Sequence, residues 1–375
     1  MHKMTATSTI LEHELSEVRL LVERQTGIVL DCPNSALAAH VVECVESQEL
    51  ASSTAWLERL RSAEQDPTGL PQLLDGLINT NTGFFRHPGA LNALARQVLP
   101  QLQARKSVDG SCPLRIWSAG CSSGEEAYSV AMAVCDAVGT AGVANFATNG
   151  CTTGGGASST NGNGKEKNGG ARNGGISEGS GAASPQAAPN SGAGCSIHIV
   201  GSDLLPSNIQ AAERGVYPQS GLAGLPPATI RAYFSKIGSP SGGSSNGNQN
   251  GGANGSQTTS QSGSNGTQNL SPGNSHLLVK PRLRSLVTFN CMNLARPGYI
   301  GRFDCIFCMD VLPQFSRVQR IALLERLHLY LEPGGYLFLS QTEKLCAPNL
   351  NFRAETFDGY TFYRKPVAAS AAYGR

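Results

Sequence analysis

The sequence predicts an α/β protein: a doubly wound, mostly parallel sheet, with a small helical domain before it and an interruption inserted in it. Three observations carry that prediction. From Leu114 onward, short apolar runs alternate with amphipathic stretches, as strand–helix–strand units do. The run Ile116–Ala119 passes through Gly120-Cys-Ser-Ser-Gly124 straight into an apolar helix that opens on Glu125 and Glu126. Upstream, residues 10–66 carry apolar residues at helical spacing, with no alternation.

The elements follow in order. Leu11, Leu15, Val18, Leu21 and Val22 mark a first helix that stops at Gly27. Leu37, Val41, Cys44 and Val45 mark a second after Pro33, and Trp56, Leu57 and Leu60 a third. Residues 1–66 are therefore expected to form a helical domain, and 67–113 a linker with a helix leading into the sheet. The main domain spans 114–375, with strands expected at 114–118, 196–202, 286–290, 303–309 and 335–340. A helix over 316–331 has Ser316 at its N-cap and Ile321, Leu324 and Leu327 on one face. Pro333-Gly334-Gly335 turns the chain into the last strand. Residues 218–285 break the alternation with a short helix and a hairpin-like stretch, His276–Phe289. Residues 139–194 and 238–275 are dominated by Gly, Asn, Ser, Thr and Gln. Such segments bury too little surface to offset the entropy of ordering, so they are expected to be disordered insertions.

Composition narrows the class. The chain has 375 residues, 40% hydrophobic and 15% charged, with a formal net charge of +2, which is globular composition with room for two domains. The N-terminus has no apolar core before its first acidic residues, and no run approaches the roughly 18 apolar residues of a membrane span. Most of the 11 cysteines sit singly in apolar stretches, the pattern of reduced thiols in a cytoplasmic protein. Cys305 and Cys308 lie three apart in an expected strand, which places them on opposite faces, so neither a metal nor a redox pair is expected.

The turn after the first strand says most about chemistry. In an open α/β sheet a nucleotide-like ligand meets the chain there, and glycines let backbone approach the ligand closely. Two carboxylates in the first turn of the following helix would repel a pyrophosphate. A ligand carrying a sulfonium and an ammonium tolerates them, and S-adenosylmethionine is such a ligand. An acidic residue at the end of the second strand, about 20 residues on, grips ribose hydroxyls in such folds. Gly124 and Asp203 are 79 apart, but 56 of those residues are the insertion 139–194, leaving 23. Asp203 is thus the ribose candidate, with helix capping as its alternative.

The segment RIWSAGCSSGEEAYSVAM (115–132) resembles the cofactor motif of the CheR-type chemotaxis methyltransferases, and flanking segments match in order. INTNTGFFRHP (78–88) resembles the family's Thr-Thr-Asn-x-Thr-x-Phe-Phe-Arg signature. Residues 200–217, 289–297, 303–316 and 331–345 resemble its second-strand, Asn-Leu, fourth-strand and last-crossover segments. The resemblance implies a Rossmann-like S-adenosylmethionine methyltransferase, with a small antiparallel subdomain inserted within 218–285, acting on glutamate side chains of chemoreceptor-like or other signalling proteins. It implies a cytoplasmic monomer with no nucleic-acid partner, no membrane insertion and no metal. The cofactor contacts it implies are Thr80, Thr82, Arg86, Glu126, Asp203, Asn293, Leu294, Asp310 and Val311, with Arg86 as the catalytic candidate. Arg86 offers a fork for a carboxylate, of the cofactor or of the substrate glutamate, or is an exposed Arg at a helix start. Glu126 pairs with a cofactor ammonium or stabilises a helix N-terminus. Asn293 bonds the adenine edge or holds a turn.

Four positions depart from the family. Its signature Asn is Thr80 here, its Arg-Asn-Val is Met309-Asp310-Val311, and its Tyr beside the reacting methyl is Gln314, preceded by Pro313. Residues 1–66 hold five Lys/Arg against eleven Asp/Glu, and 34–50 hold no Lys or Arg, where the family presents a basic helix to acidic receptors. Acidic faces repel one another. The alternative to an active methyltransferase is therefore a catalytically weak or inactive cofactor-binding module of the same fold, serving signalling or as a scaffold.

Overall fold

The computed structural model describes residues 10–65, 69–78, 81–109, 113–138, 196–237, 275–298, 301–347 and 349–367. Both segments expected to be disordered, apart from Ser275, lie outside the described residues, as does Thr80.

Three helices open the described chain: α1 (Glu12–Thr26), α2 (Asn34–Ser47) and α3 (Ser53–Ser62). Glu14 accepts the backbone N–H of Leu11 at the start of α1, and Gly27 ends it in the left-handed conformation, φ 77°. Their apolar faces, with Val18, Val22, Leu37, Val41 and Trp56 inside, form a core of their own that also takes in Leu73, Leu77 and Leu205. The segment Pro88–Asp109 is helical apart from a π turn at Leu94–Val98, and it delivers the chain to the sheet.

The main sheet has seven strands: β1 (Leu114–Ala119), β2 (Ile197–Asp203), β6 (Val287–Cys291), β7 (Phe303–Phe307), β8 (Leu331–Phe338), β9 (Arg353–Phe357) and β10 (Tyr360–Arg364). Their order is β6-β2-β1-β7-β8-β10-β9, and the first five are parallel. β10 runs antiparallel to β8 and pairs with β9 across the turn Asp358-Gly359, both of positive φ. Successive residues of β1 and β7 alternate between two cores: Ile116, Cys305 and Phe307 on one face, Trp117, Ile306 and Cys308 on the other. The helix Glu125–Val138 covers the first face and the helix Arg317–Tyr330 the second. The opposite-face expectation for Cys305 and Cys308 is thus met, and burial pushes both thiols up.

Several expectations need correction. His276–Phe289 is not a hairpin. Its first half, β5 (His276–Val279), sits between β3 (Val216–Pro218) and β4 (Phe234–Lys236) in a separate three-stranded antiparallel sheet, while its second half, β6, joins the main sheet in parallel. The turn Pro281–Arg284 between them is helical, because Pro281 starts a helix readily and no short turn reverses the chain there. β7 ends at Phe307, two residues early, because the chain turns to give Asp310 a φ of 57°. Pro333-Gly334-Gly335 lies inside β8, whose pairing with β7 is irregular between Phe303 and Cys305. Ser316 holds the N-cap position but makes no capping bond with its side chain. The β9–β10 hairpin went unassigned, although Asp-Gly between alternating aromatics is a strong hairpin signal.

Candidate functional site

The parallel strands end on one cavity. β1 lies between β2 and β7, where the strand order reverses, and open α/β sheets bind ligands at that point. The cavity is walled by Gly120, Ser122 and Glu126 after β1, Asp203–Leu205 after β2, Met292–Leu294 after β6 and Met309–Val311 after β7. Two walls come from outside the sheet: Thr26 and Ile28 at the end of α1, and the signature segment with Asn81, Thr82 and Phe85–His87. Thr82, Arg86, Glu126, Asp203, Asn293, Leu294, Asp310 and Val311 all line it, and Gln314 joins them.

The turn after β1 is built by close packing. Gly120 and Gly124 have φ of 81° and 96°. A Cβ on Gly120 would come within 2.6 Å of Val311 Cγ2, and one on Gly124 within 2.7 Å of Ala212 Cβ. Close packing alone already requires these glycines, against the β7 loop and the helix Pro206–Arg214, and Gly120 also lines the cavity.

Asp203 holds this turn in place. Its Oδ2 accepts the Ser122 N–H at 2.9 Å, and its Oδ1 accepts the Leu205 N–H at 3.0 Å and Asn208 Nδ2 at 2.9 Å. Asp203 does not cap the following helix, whose N-cap is Leu205 with no side-chain bond; it staples the turn, on a side chain that also faces the cavity. Glu126 accepts the Ser118 hydroxyl at 2.6 Å. Burial pushes its carboxyl up to about 7, with Asp310 and Glu343 adding to the effect and Ser118 and Arg86 opposing it.

The loop after β7 holds a charge cluster. Asp310 Oδ2 lies 3.1 Å from Arg86 Nη2 and 3.0 Å from His87 Nε2. Arg86 also donates to the Asn81 carbonyl at 2.7 Å. The fork that the sequence offered to a ligand carboxylate thus meets a carboxylate of the chain itself. Buried Glu343 fixes the loop: it accepts the backbone N–H groups of Asp310 at 3.2 Å, Leu312 at 2.9 Å and Ser340 at 2.8 Å. Burial raises the Glu343 carboxyl despite these bonds. Gln314 donates to the Asp310 carbonyl at 3.2 Å, and its own carbonyl accepts the Val29 N–H at 2.7 Å.

Asn293 takes the turn role that the sequence left open. Its Oδ1 accepts the Ala295 N–H at 2.8 Å and its Nδ2 donates to the Gln25 carbonyl at 3.0 Å, so the amide ties the β6 loop to α1. Sequence reasoning missed Glu343, His87, Ser118, Asn208 and the wall formed by Thr26 and Ile28. His87 stands beside Arg86, and Ser118 and Asn208 lie only eight and five residues from their partners Glu126 and Asp203; Glu343 and the wall of Thr26 and Ile28 meet partners too distant in the chain for spacing to reveal.

Comparison with known proteins adds the family. A family model described as the CheR methyltransferase, SAM binding domain, matches residues 80–150 and 267–360. Chemotaxis protein methyltransferase 1 of Pseudomonas aeruginosa is 27% identical over 352 residues, covering 90% of this chain and 96% of that protein. Chemotaxis protein methyltransferase Cher2 of Pseudomonas putida is 24% identical, covering 91% and 98%, and the chemotaxis protein methyltransferase of Vibrio parahaemolyticus is 25% identical, covering 91% and 92%. The family model and these relatives together support a CheR-type methyltransferase. Its cofactor is S-adenosyl-L-methionine, as expected from the turn and its two glutamates.

The cavity fits a CheR cofactor on its own chemistry. Glu126, Asp203 and Asp310 give it carboxylates suited to an ammonium, a sulfonium and ribose hydroxyls, whereas a pyrophosphate would be repelled. Ile78, Leu204, Met292, Leu294 and Phe315 supply the apolar surface that a purine ring needs. Among the described residues no helix is long and apolar enough to cross a membrane.

Proposed function

We propose that the chain transfers methyl from S-adenosylmethionine to glutamate carboxylates of a chemoreceptor-like signalling protein, in the cytoplasm and as a monomer. The observation that supports this reading best is the convergence, on one cavity at the carboxyl ends of the parallel strands, of eight residues implied by the family's motifs.

In this reading the bound cofactor supplies an electrophilic methyl group. A glutamate side chain is already ionised near neutral pH and needs no general base. Its oxygen forms a bond to the methyl carbon as the carbon–sulfur bond breaks, and the electron pair leaves with sulfur. The protein's work is alignment and exclusion of water. Asp203 holds ribose hydroxyls while stapling the turn, Glu126 holds the ammonium, and Leu294 and Val311 pack against the adenosyl group. Thr80 and Thr82 contribute from the signature segment, and Asn293 adds a polar edge beside the base. Arg86 orients a carboxylate once it exchanges its bond to Asp310 for one to a ligand.

A second reading, a cofactor-binding module with little turnover, is favoured by one observation: Asp310 occupies Arg86 beside a Gln314 that lacks a phenol. Incubation with methyl-labelled cofactor and a receptor cytoplasmic fragment separates the two. The first reading expects base-labile methyl esters on glutamates, formed faster by Gln314→Tyr with little change in cofactor affinity. Normal cofactor binding with no ester in either protein selects the second.

A further inference from the structure

We propose that Ser129 is a positioning residue: its buried hydroxyl locks Phe85 in a left-handed backbone conformation, and that lock sets Phe85 and Arg86 in the cavity wall. The inference rests on the S-adenosylmethionine reading and goes beyond it by giving Ser129 a role that acts through the signature segment.

Among the described residues, five that are not glycine have positive φ: Glu49, Phe85, Ser122, Asp310 and Asp358. Phe85, Ser122 and Asp310 line the cavity, one on each of three separate segments. Each has its backbone N–H held by a side chain from elsewhere in the chain. Asp203 accepts that of Ser122 at 2.9 Å, Glu343 that of Asp310 at 3.2 Å, and Ser129 Oγ that of Phe85 at 2.9 Å. Phe85 differs from the other two in two ways. Its φ of 52° is an outlier for a bulky side chain, whereas Asp visits this region more readily. Its acceptor is a neutral hydroxyl, a weaker partner than a carboxylate. The bulkiest of the three thus has the weakest clasp.

The clasp has a fixed direction. Ser129 is 1% exposed, and its hydroxyl donates to the Glu125 carbonyl at 2.6 Å, one turn earlier in its helix. The proton is committed there, which leaves the oxygen lone pairs to the Phe85 N–H. The conformation so held decides where three consecutive side chains go. In an extended chain, neighbouring side chains point to opposite sides. Here Phe84 packs edge-on against Tyr217 of β3 and Phe234 of β4, with ring centroids 4.9 and 5.4 Å apart, while Phe85 and Arg86 both line the cavity. The left-handed backbone at Phe85 lets two successive residues face the same space. Without the hydroxyl, Phe85 relaxes towards negative φ. A ligand must then restore the native path as it binds, which lowers its apparent affinity.

A double-mutant cycle read by calorimetric titration with S-adenosylmethionine tests the proposal. Ser129→Ala alone should weaken binding about tenfold, because the strain of one left-handed bulky residue is no longer held in advance. Glycine adopts positive φ freely, so in a Phe85→Gly background the same change should weaken binding less than about threefold. Loss of the Phe85 ring alters the starting affinity and cancels in the cycle. A merely structural role for Ser129 in packing its helix would give equal losses in both backgrounds; that equality overturns the proposal, as does undiminished affinity in folded Ser129→Ala. Should Ser129→Ala not fold, hydrogen exchange at the Phe85 amide of wild type decides. That amide should be protected without ligand and more protected once S-adenosylmethionine is added. Exchange at the rate of a free peptide, or protection indifferent to the ligand, overturns the proposal. Wild type that binds no S-adenosylmethionine overturns the cofactor reading itself, and this inference with it.

Discussion

Two loops wall the cavity, and each is stapled by one carboxylate. Asp203 gathers the N–H groups of Ser122, Leu205 and the Asn208 side chain; Glu343 gathers those of Asp310, Leu312 and Ser340. The difference is where they sit. Asp203 lines the cavity, so its remaining lone pairs are available to a ligand, whereas Glu343 is not among the lining residues and is 8% exposed. One acidic staple doubles as a binding group; the other is devoted to scaffolding. Burial is what separates these two uses of the same bonding pattern.

Replacing each staple sharpens the contrast. Glu343→Ala should have the largest effect, because three buried N–H groups lose a charged acceptor at once: about 4 kcal/mol of stability in denaturant unfolding. Cofactor affinity should fall as the Asp310 loop loosens. A loss below about 1 kcal/mol would mean the loop is held by other contacts. Asp203→Ala should cost about 3 kcal/mol of stability, since its site is nearer to water, and should also weaken cofactor binding at least tenfold. A normal dissociation constant in the destabilised variant would assign Asp203 to stapling alone.

The smallest effect concerns Glu126, and its sign is the opposite. Its carboxyl stands at about 7 in the folded chain against 4.5 as a reference, so the folded state binds the proton more tightly. Without ligand the protein should therefore lose stability as pH rises from 4.5 towards 7, and then level off. Glu126→Gln removes that loss, making the ligand-free protein about 2 kcal/mol more stable at pH 8 and little changed at pH 4. Melting curves that shift equally at both pH values would refute this assignment.

The sheet was legible because apolar runs and glycine turns report local structure. The position of Asp203 was legible because an insertion lengthens a connection without disturbing either end. What stayed hidden was long-range. Nothing in Gln341-Thr342-Glu343 announces that it holds a loop some thirty residues earlier in the chain. Asn293 and Arg86 line the cavity, but their bonds to Gln25 and Asp310 depend on elements meeting in space. His276–Phe289 misled because apolar alternation records that a segment pairs, without recording with which sheet.

The N-terminal helices have a core of their own, yet the segment that follows α1 is stitched into the cavity wall. Val29 donates to Gln314, Ile28 pairs with Phe315, and Gln25 accepts from Asn293. Free-energy linkage then runs both ways through this seam. A ligand that presses against Thr26 and Ile28 adds part of its binding energy to the docking of the whole helical region, and anything that pries that region loose exacts the same amount in affinity. Amide exchange in α2 and α3, which contribute no residue to the cavity wall, thus becomes a gauge of its occupancy.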